Sequence, residues 1–179
     1  MKLISGFLVI GLVCAPVLRA QTANPYSDDA RMTYALIKNS ILSAAEKMPA
    51  EEYSFRTVSQ VRTFGEMLAH VADAQVRMCG VVKGEVQFPA YPANVADARK
   101  MTAKADLIPA LSAAFGYCDP VYQRMTDAAG TGKIKWARWE MSKLGLLNWN
   151  ISHDNEMYGI IAAFLRIKGI VPPSSEGRP

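Results

Sequence analysis

The apolar residues of this chain recur at helical spacing, and this is its strongest constraint on folding. In the first periodic segment Tyr34, Ile37 and Ile41 follow one another at intervals of three or four residues. This spacing places side chains on one face of an α-helix. Met48-Pro49 ends the segment, because a residue before proline avoids the helical conformation. No segment alternates apolar and polar residues as a strand would, so we expect an all-α protein.

Capping residues predict where two of the helices begin. Ser27 precedes two aspartates, a pattern typical of an N-cap followed by acids that complement the helix dipole. Thr63 and Glu66 have the spacing of a capping box, in which each side chain accepts a hydrogen bond from the other residue's backbone. The second helix should therefore begin after Thr63, and Gly84 lies just beyond its apolar stripe.

The third and fourth helices have less regular sequences. The third helix should begin near Thr102, and its Pro109 and Pro120 predict a kink or a break. The fourth should run from about Trp139 to Lys168. Gly169 follows it as a plausible residue to end the helix in a left-handed conformation.

The lengths of the connections predict how the helices are arranged. Residues 83–101 join the second and third helices, and this is longer than the ~2–8 residues that link antiparallel neighbours in bundles. A long crossover lets the third helix run parallel to the second. A shorter loop lies around residues 130–132. We therefore predict a four-helix bundle with a long crossover between helices 2 and 3.

The N-terminus has the pattern of a secretory signal peptide. Two residues with one lysine precede an apolar run over residues 3–13, and Ala20 fits the last position before cleavage. The run is shorter than the ~20 residues needed to cross a bilayer. We expect residues 1–20 to be the signal peptide and residues 21–179 to form a single exported domain, periplasmic or secreted, with a flexible tail from about residue 174. An uncleaved anchor is the alternative.

Charge argues against nucleic acid as a partner. The chain has a net charge of +4, and removal of the leader takes two basic residues and no acidic one. The remaining lysines and arginines are scattered, whereas nucleic-acid binders concentrate them in a patch. After cleavage no stable membrane span is expected either. The partners we expect are a small molecule or a metal ion, and a homodimer is left open.

Two cysteines remain after the leader and its Cys14 are removed. Cys79 and Cys118 can form a disulfide in an oxidising compartment. The alternative is a pair of buried free thiols. If the second and third helices are parallel, both residues lie about four turns past their helix starts. A Cα separation beyond about 7 Å would exclude the bond.

The chain has only two histidines, His70 and His153. His70 lies at the flank of the second helix's stripe, at the edge of a cleft. His153 lies in the core-facing stripe predicted for the fourth helix. That stripe comprises Leu146, Trp149, Asn150, His153, Met157, Ile160 and Phe164. Helical bundles build metal sites from side chains on facing helices, so the two histidines suggest one shared site.

Three segments carry a resemblance to a known family. Residues 61–74, 152–159 and 164–174 resemble the second helix and the C-terminal signature of the DinB-like four-helix proteins. The resemblance implies a divalent metal, Zn, Ni or Fe, held by three histidines and used for transferase, isomerase or hydrolase chemistry on small molecules. His70 and His153 match two of these ligands. The third position falls on Met157.

Methionine at position 157 changes what the site can bind. A neutral thioether is a poor ligand for Zn²⁺ or Ni²⁺, so we expect weakened dication binding. Asp73 or Glu156 could replace the missing ligand, although both are expected on solvated faces. With Met67 and Met157, the site could instead suit the soft ion Cu(I).

Two classes of function therefore follow from the sequence. One is a metal-dependent enzyme with His70, His153 and Met157 at the metal. The other is a non-catalytic module that binds a small molecule or a soft metal on the same bundle. Asn150 would line the pocket in either class, and the residue at position 157 discriminates between them.

Overall fold

The computed structural model describes residues 23–88, 90–92 and 95–177, in which four long helices form a bundle. The predicted signal peptide, its cleavage site and Cys14 lie outside these residues. The helices, including one short turn α4, are α1 (Pro25–Lys47), α2 (Phe64–Lys83), α3 (Lys104–Arg124), α4 (Asp127–Gly130) and α5 (Lys143–Ile167). The prediction of a four-helix bundle is confirmed.

Two of the long helices occupy diagonal corners of the bundle. α1 and α2 each pack against both α3 and α5. The core lies between them and contains large side chains that are fully buried. Those side chains are Tyr122, Phe64, Phe115, Ile41, Met48, Leu68, Leu107, Leu111, Leu146, Leu147, Ile161 and Leu165. In the described part of the chain, no helix has the length and hydropathy needed to cross a bilayer.

The crossover has the effect predicted from its length. At the start of α2, a Cβ on Gly65 would lie 3.2 Å from Leu107 Cδ1 near the start of α3. Towards the other end, Cys79 of α2 is bonded to Cys118 of α3. The start of α2 therefore lies beside the start of α3, and the end of α2 lies beside the end of α3. The two helices are parallel. The described part of the crossover includes a short 3-10 turn, Ala98–Lys100.

The second helix begins as its sequence predicts. Thr63 Oγ1 accepts a hydrogen bond from Glu66 N at 3.1 Å, and the Glu66 carboxylate accepts one from Thr63 N at 2.7 Å. At the other end Gly84 adopts φ +77°, a conformation that glycine reaches without steric cost. Local sequence thus determines both ends of α2.

The N-cap of α1 is Asn24, not the predicted Ser27. Ser27 is buried in the first helical turn, where its backbone N–H donates to Asp127 Oδ1 at 2.8 Å. Asn24 Oδ1 in turn accepts from Asp127 N at 3.0 Å. A contact across about a hundred residues therefore replaces the local cap, so the sequence pattern around Ser27 was misleading.

The third helix is not interrupted at its prolines. α3 runs from Lys104 to Arg124 with Pro109 and Pro120 inside it, so the predicted break is wrong. Each proline removes one backbone hydrogen bond. Leu111 and Phe115 lie between the two prolines and are fully buried, so packing against the core holds this stretch of the helix in place.

A β-hairpin follows α4, where the sequence predicted a loop and no strands. β1 (Lys133–Trp136) and β2 (Trp139–Ser142) are antiparallel, and Ala137 in the turn between them has φ +51°. Within β1, lysines alternate with Ile134 and Trp136, a period of two that marks a strand. The run is only four residues long, so its alternation was overlooked.

The hairpin also moves the start of the last helix. α5 begins at Lys143 rather than Trp139, because residues 139–142 pair with β1. Ser142 is its N-cap and accepts a hydrogen bond from Gly145 N at 3.0 Å. The helix ends as predicted, with Gly169 at φ +72°.

The C-terminal segment, where the sequence predicts a flexible tail, contacts the bundle at several points. Ser174 N donates to the Tyr158 hydroxyl at 2.9 Å, and Arg166 donates to Ser175 Oγ at 2.9 Å. Glu176 also forms an ion pair with Lys47 of α1. Residues 174–176 therefore contact the helices of the bundle. Residues 178 and 179 lie outside the described chain.

A disulfide joins α2 to α3. Cys79 and Cys118 are both fully buried, and their Cα atoms are 5.4 Å apart, within the range of a disulfide. Of the two alternatives left open by the sequence, the structure shows the bond. It closes a loop of 39 residues that contains the whole crossover.

Loss of this disulfide should lower stability markedly. A Cys79→Ala/Cys118→Ala variant should lose about 4 kcal/mol of unfolding free energy, because the crossover loop is no longer closed in the unfolded chain. Denaturant unfolding followed by circular dichroism measures this difference. The wild-type protein unfolded in the presence of a thiol reductant is the control and should show a similar loss. A wild-type unfolding curve that the reductant leaves unchanged would contradict the disulfide.

Candidate functional site

The two histidines meet in the groove between α2 and α5. His70 Nε2 and His153 Nε2 are 3.1 Å apart, the distance of a hydrogen bond in which one ring donates and the other accepts, and the ring planes are inclined at 71°. The helices are antiparallel here, since Gln75, further along α2, contacts the earlier Asn150 of α5. Both rings are half-buried. The structure thus brings together the two residues that the sequence predicted would share a site.

His70 is held in its neutral form. Burial is the main cause that lowers its pKa from 6.5 to about 4, and the positive charges of Arg62 and His153 act in the same direction. Asp73 opposes the shift only in part. At neutral pH the His70 imidazole therefore carries no charge and retains a nitrogen lone pair for a metal or a hydrogen bond.

Asp154 is a site residue that the sequence analysis missed. Its side chain is fully buried, and its Oδ1 lies 3.7 Å from His153 Nδ1. Among the described residues, neither atom has a hydrogen-bond partner. Burial raises the pKa of Asp154, although His153 and a hydrogen bond from Gln75 Nε2 oppose the shift. A carboxyl group that accepts a hydrogen bond from the outer nitrogen of a histidine orients the ring, and Asp154 Oδ1 lies just beyond that distance.

A buried network of polar side chains lies directly behind the histidines. Gln75 Nε2 donates to Asp154 Oδ2 at 2.5 Å, and Asn150 Nδ2 donates to Gln75 Oε1 at 2.9 Å. Asn150 also donates to the Tyr122 hydroxyl, which donates to Leu147 O. Asn150 is therefore fully buried in this network, and the expectation that it lines the pocket is wrong. The signal in the sequence was the four-residue spacing of Asn150 and Asp154 on an otherwise apolar face.

The predicted stripe of α5 is rotated slightly from the one observed. Trp149 is predicted in the core but is 38% exposed, and its ring packs at a tilt of 47° against Trp139 of the hairpin. Asp154 is buried in its place, while His153 is at the edge of the core. Because the observed core face includes Asp154 rather than Trp149, His153 lies at the edge of that face, in the groove that contains His70.

Met157 occupies the position where the resemblance implies a third histidine. It is buried, one helical turn beyond His153. The two acids considered as replacements do not supply the ligand, since Asp73 pairs with Arg77 at 2.8 Å and Glu156 is exposed. In the described part of the chain, no three side chains among His, Cys, Asp and Glu are grouped to hold a metal.

The side chains present offer two imidazole ligands to a metal, where the resemblance implies three. Two nitrogens bound to one tetrahedral zinc at ~2.05 Å lie about 3.3 Å apart. The 3.1 Å between His70 Nε2 and His153 Nε2 is close to this value. Catalytic zinc sites use three protein ligands and an open position, and the position that the resemblance assigns to the third ligand is occupied by Met157, whose thioether is a poor ligand for zinc. The residues present therefore fit a two-imidazole site of reduced affinity.

The fold and the paired histidines define a class of helical bundle with a histidine cleft, and comparison with known proteins gives its family. The sequence model of the DinB superfamily matches residues 36–161, and the chain belongs to this superfamily. A crystal structure of a DinB-like protein from Bacillus cereus ATCC 10987 superposes with a TM-score of 0.66 and 14% identity. The match covers 82% of this chain and 95% of that one, and it shows the fold. No curated protein matches the sequence.

The low pKa of His70 makes stability sensitive to acid. Below its ordinary pKa of 6.5 the unfolded chain takes up a proton at this residue, whereas the folded protein resists protonation down to about 4. The unfolded state therefore binds more protons than the folded state in this interval. Binding of these protons favours unfolding, so the free energy of unfolding decreases as the pH falls. Between about pH 7 and about pH 5 the unfolding temperature of the metal-free protein should therefore decrease.

A pair of variants separates this effect from that of Asp154, whose raised pKa works in the opposite direction. His70→Gln should lose less stability than the wild type over the same pH interval. Asp154→Asn removes the opposing contribution and should retain the full acid sensitivity. Thermal unfolding in the presence of a chelator measures all three proteins, and equal acid sensitivity of His70→Gln and wild type would contradict the prediction.

Proposed function

We propose that this chain is a metal-binding member of the DinB superfamily that holds a small molecule in the cleft beside its metal. His70 and His153 supply two imidazole ligands, and Met157 lies at the third position. The distance of 3.1 Å between the two Nε2 atoms supports this proposal most directly. Membership of the superfamily supports the same interpretation.

The surrounding residues prepare the two imidazoles for this role. His70 is neutral at physiological pH because burial lowers its pKa, so protons do not compete for its nitrogen. Asp154, fully buried with its Oδ1 3.7 Å from His153 Nδ1, is the carboxyl group placed to orient this imidazole when a metal binds at Nε2. When bound, a divalent metal would supply the acidity to ionise a coordinated water or thiol, the chemistry of hydrolases and transferases.

A soft-metal site is the second candidate. Met157 and Met67 are both buried, each one helical turn from a histidine. Thioether and imidazole together suit Cu(I), whereas they bind Zn²⁺ and Ni²⁺ weakly. The same pocket would then be a copper-binding module without catalytic function.

Substitution at position 157 tests both candidates. Met157→His should increase zinc affinity by at least about tenfold, because it completes a three-imidazole site. Met157→Leu is the matched control, since it keeps the apolar volume and should leave zinc affinity unchanged. Competition titration with a chromophoric chelator measures these affinities, with zinc and Cu(I) titrated separately.

The outcomes of this titration decide between the candidates. A loss of Cu(I) affinity in Met157→Leu would identify the thioether as a ligand and favour the soft-metal site. Unchanged Cu(I) affinity would exclude that site. Failure of both the wild type and Met157→His to bind zinc would overturn the proposal, as would zinc binding that survives in His70→Ala.

We also propose that the protein is exported and that its leader is removed after Ala20. The n-region and apolar run of residues 1–20 support this. The buried disulfide between Cys79 and Cys118 supports it independently, since disulfides persist in oxidising compartments.

Expression of the full chain with its own leader tests the export proposal. The mature protein recovered from the periplasm or the medium should begin at Gln21, as determined by N-terminal sequencing and intact mass. A variant with Ala20→Arg should remain unprocessed at this site. Recovery of the wild-type chain from the cytosol with the leader intact would contradict the proposal.

A further inference from the structure

A cavity of about 630 Å³ opens beside His70, between the segment that precedes α2 and the crossover. Its wall includes three arginines, Arg56, Arg62 and Arg99. Ser59 and Gln60 add further polar groups. His70 is also part of the wall, so a molecule bound on that side of the cavity lies next to the histidine pair.

The two carboxylates in the wall of this cavity are already engaged. Asp73 pairs with Arg77 at 2.8 Å and with Arg99 at 3.4 Å. Glu66 accepts a hydrogen bond from Thr63 N as part of the capping box. Neither acid is therefore free to bind a cation in the cavity.

Two of the arginines, Arg56 and Arg62, are exposed and keep unused donors. The pKa of Glu66 is lowered mainly by its hydrogen bond from Thr63 N and further by the charges of these two arginines, so Glu66 offsets part of their charge. Among the residues that the structure describes, neither Arg56 nor Arg62 forms an ion pair. Arg56 makes one long hydrogen bond, 3.5 Å to Ser59 O. The charge of Arg62 also acts on His70, where it lowers the pKa in addition to the larger effect of burial.

We propose that this cavity binds a small anionic molecule through Arg56 and Arg62. A guanidinium presents its donors in a planar fork that matches carboxylate and phosphate groups. The shared chemistry is thus an oxyanion, and the ligand places its remaining atoms beside His70. This inference deepens the proposed function, on which it rests for the role of the cleft as the ligand site.

Anion titration of the mature protein, with all metal removed by a chelator, tests the inference. The probes are succinate, inorganic phosphate and, as a neutral analogue of succinate, succinamide, all at constant ionic strength. At least one anion should bind and succinamide should not, as measured by calorimetry. Binding of succinate alone would assign a carboxylate ligand, binding of phosphate alone a phosphate ligand, and binding of both an oxyanion of either kind.

Variants at the arginines show whether binding occurs in this cavity. Arg62→Gln should weaken anion binding about tenfold or more, because it removes charge-assisted hydrogen bonds. Arg62→Lys should retain part of the affinity, since it keeps the charge and loses the fork. Arg124→Gln is the matched control, because Arg124 is exposed at the end of α3 and outside this cavity, and it should leave binding unchanged. Equal affinity in the wild type and Arg62→Gln, or no binding of either anion, would overturn the inference.

A zinc titration of Arg62→Gln distinguishes this inference from the proposed function. The variant leaves both histidines in place and does not alter burial, the main cause of the lowered pKa of His70, so it should still bind zinc. Zinc binding without anion binding would refute only the anion site. Anion binding without zinc binding would refute only the metal site, so the two failures cannot be confused.

Discussion

The contact on which the site depends is the buried polar network between α2 and α5. Gln75 contacts both Asn150 and Asp154, and these three side chains are fully buried. A buried polar group that loses its hydrogen-bond partner lowers the stability of the fold, because it is no longer solvated by water. Any shift of one helix that breaks these bonds is therefore unfavourable, and the network fixes the relative positions of α2 and α5. A sliding of α5 by one turn would break every bond in it and would separate His70 from His153.

The disulfide and the crossover hold the other side of α2. Cys79 and Cys118 join α2 to the parallel α3, while the network joins α2 to the antiparallel α5. α2 is therefore constrained on two faces, and its capping box fixes where it begins. His70 therefore lies on a constrained helix at the edge of the core. Arginines from the loop before α2 and from the crossover line the cavity beside it.

Sequence patterns that depend on near neighbours were reliable here. The capping box of Thr63 and Glu66, the glycine after each of α2 and α5, and the parallel helices implied by the crossover were all predicted and are all present. The errors arose where distant residues compete with local preference. Asp127 holds the start of α1 and displaces the cap predicted at Ser27, and the pairing of β1 with β2 shortens α5.

The sequence by itself determined the number of long helices, the order of the bundle and the two histidines that face each other, because periodicity and caps act within a few residues. The resemblance to the DinB-like proteins added Met157 as the departure from three imidazoles. Only the tertiary structure decided that His70 and His153 lie 3.1 Å apart, that Asp154 is buried behind them and that Arg56 and Arg62 border the cleft. These features join residues from different segments of the chain, and their distances are set by packing that no local pattern records.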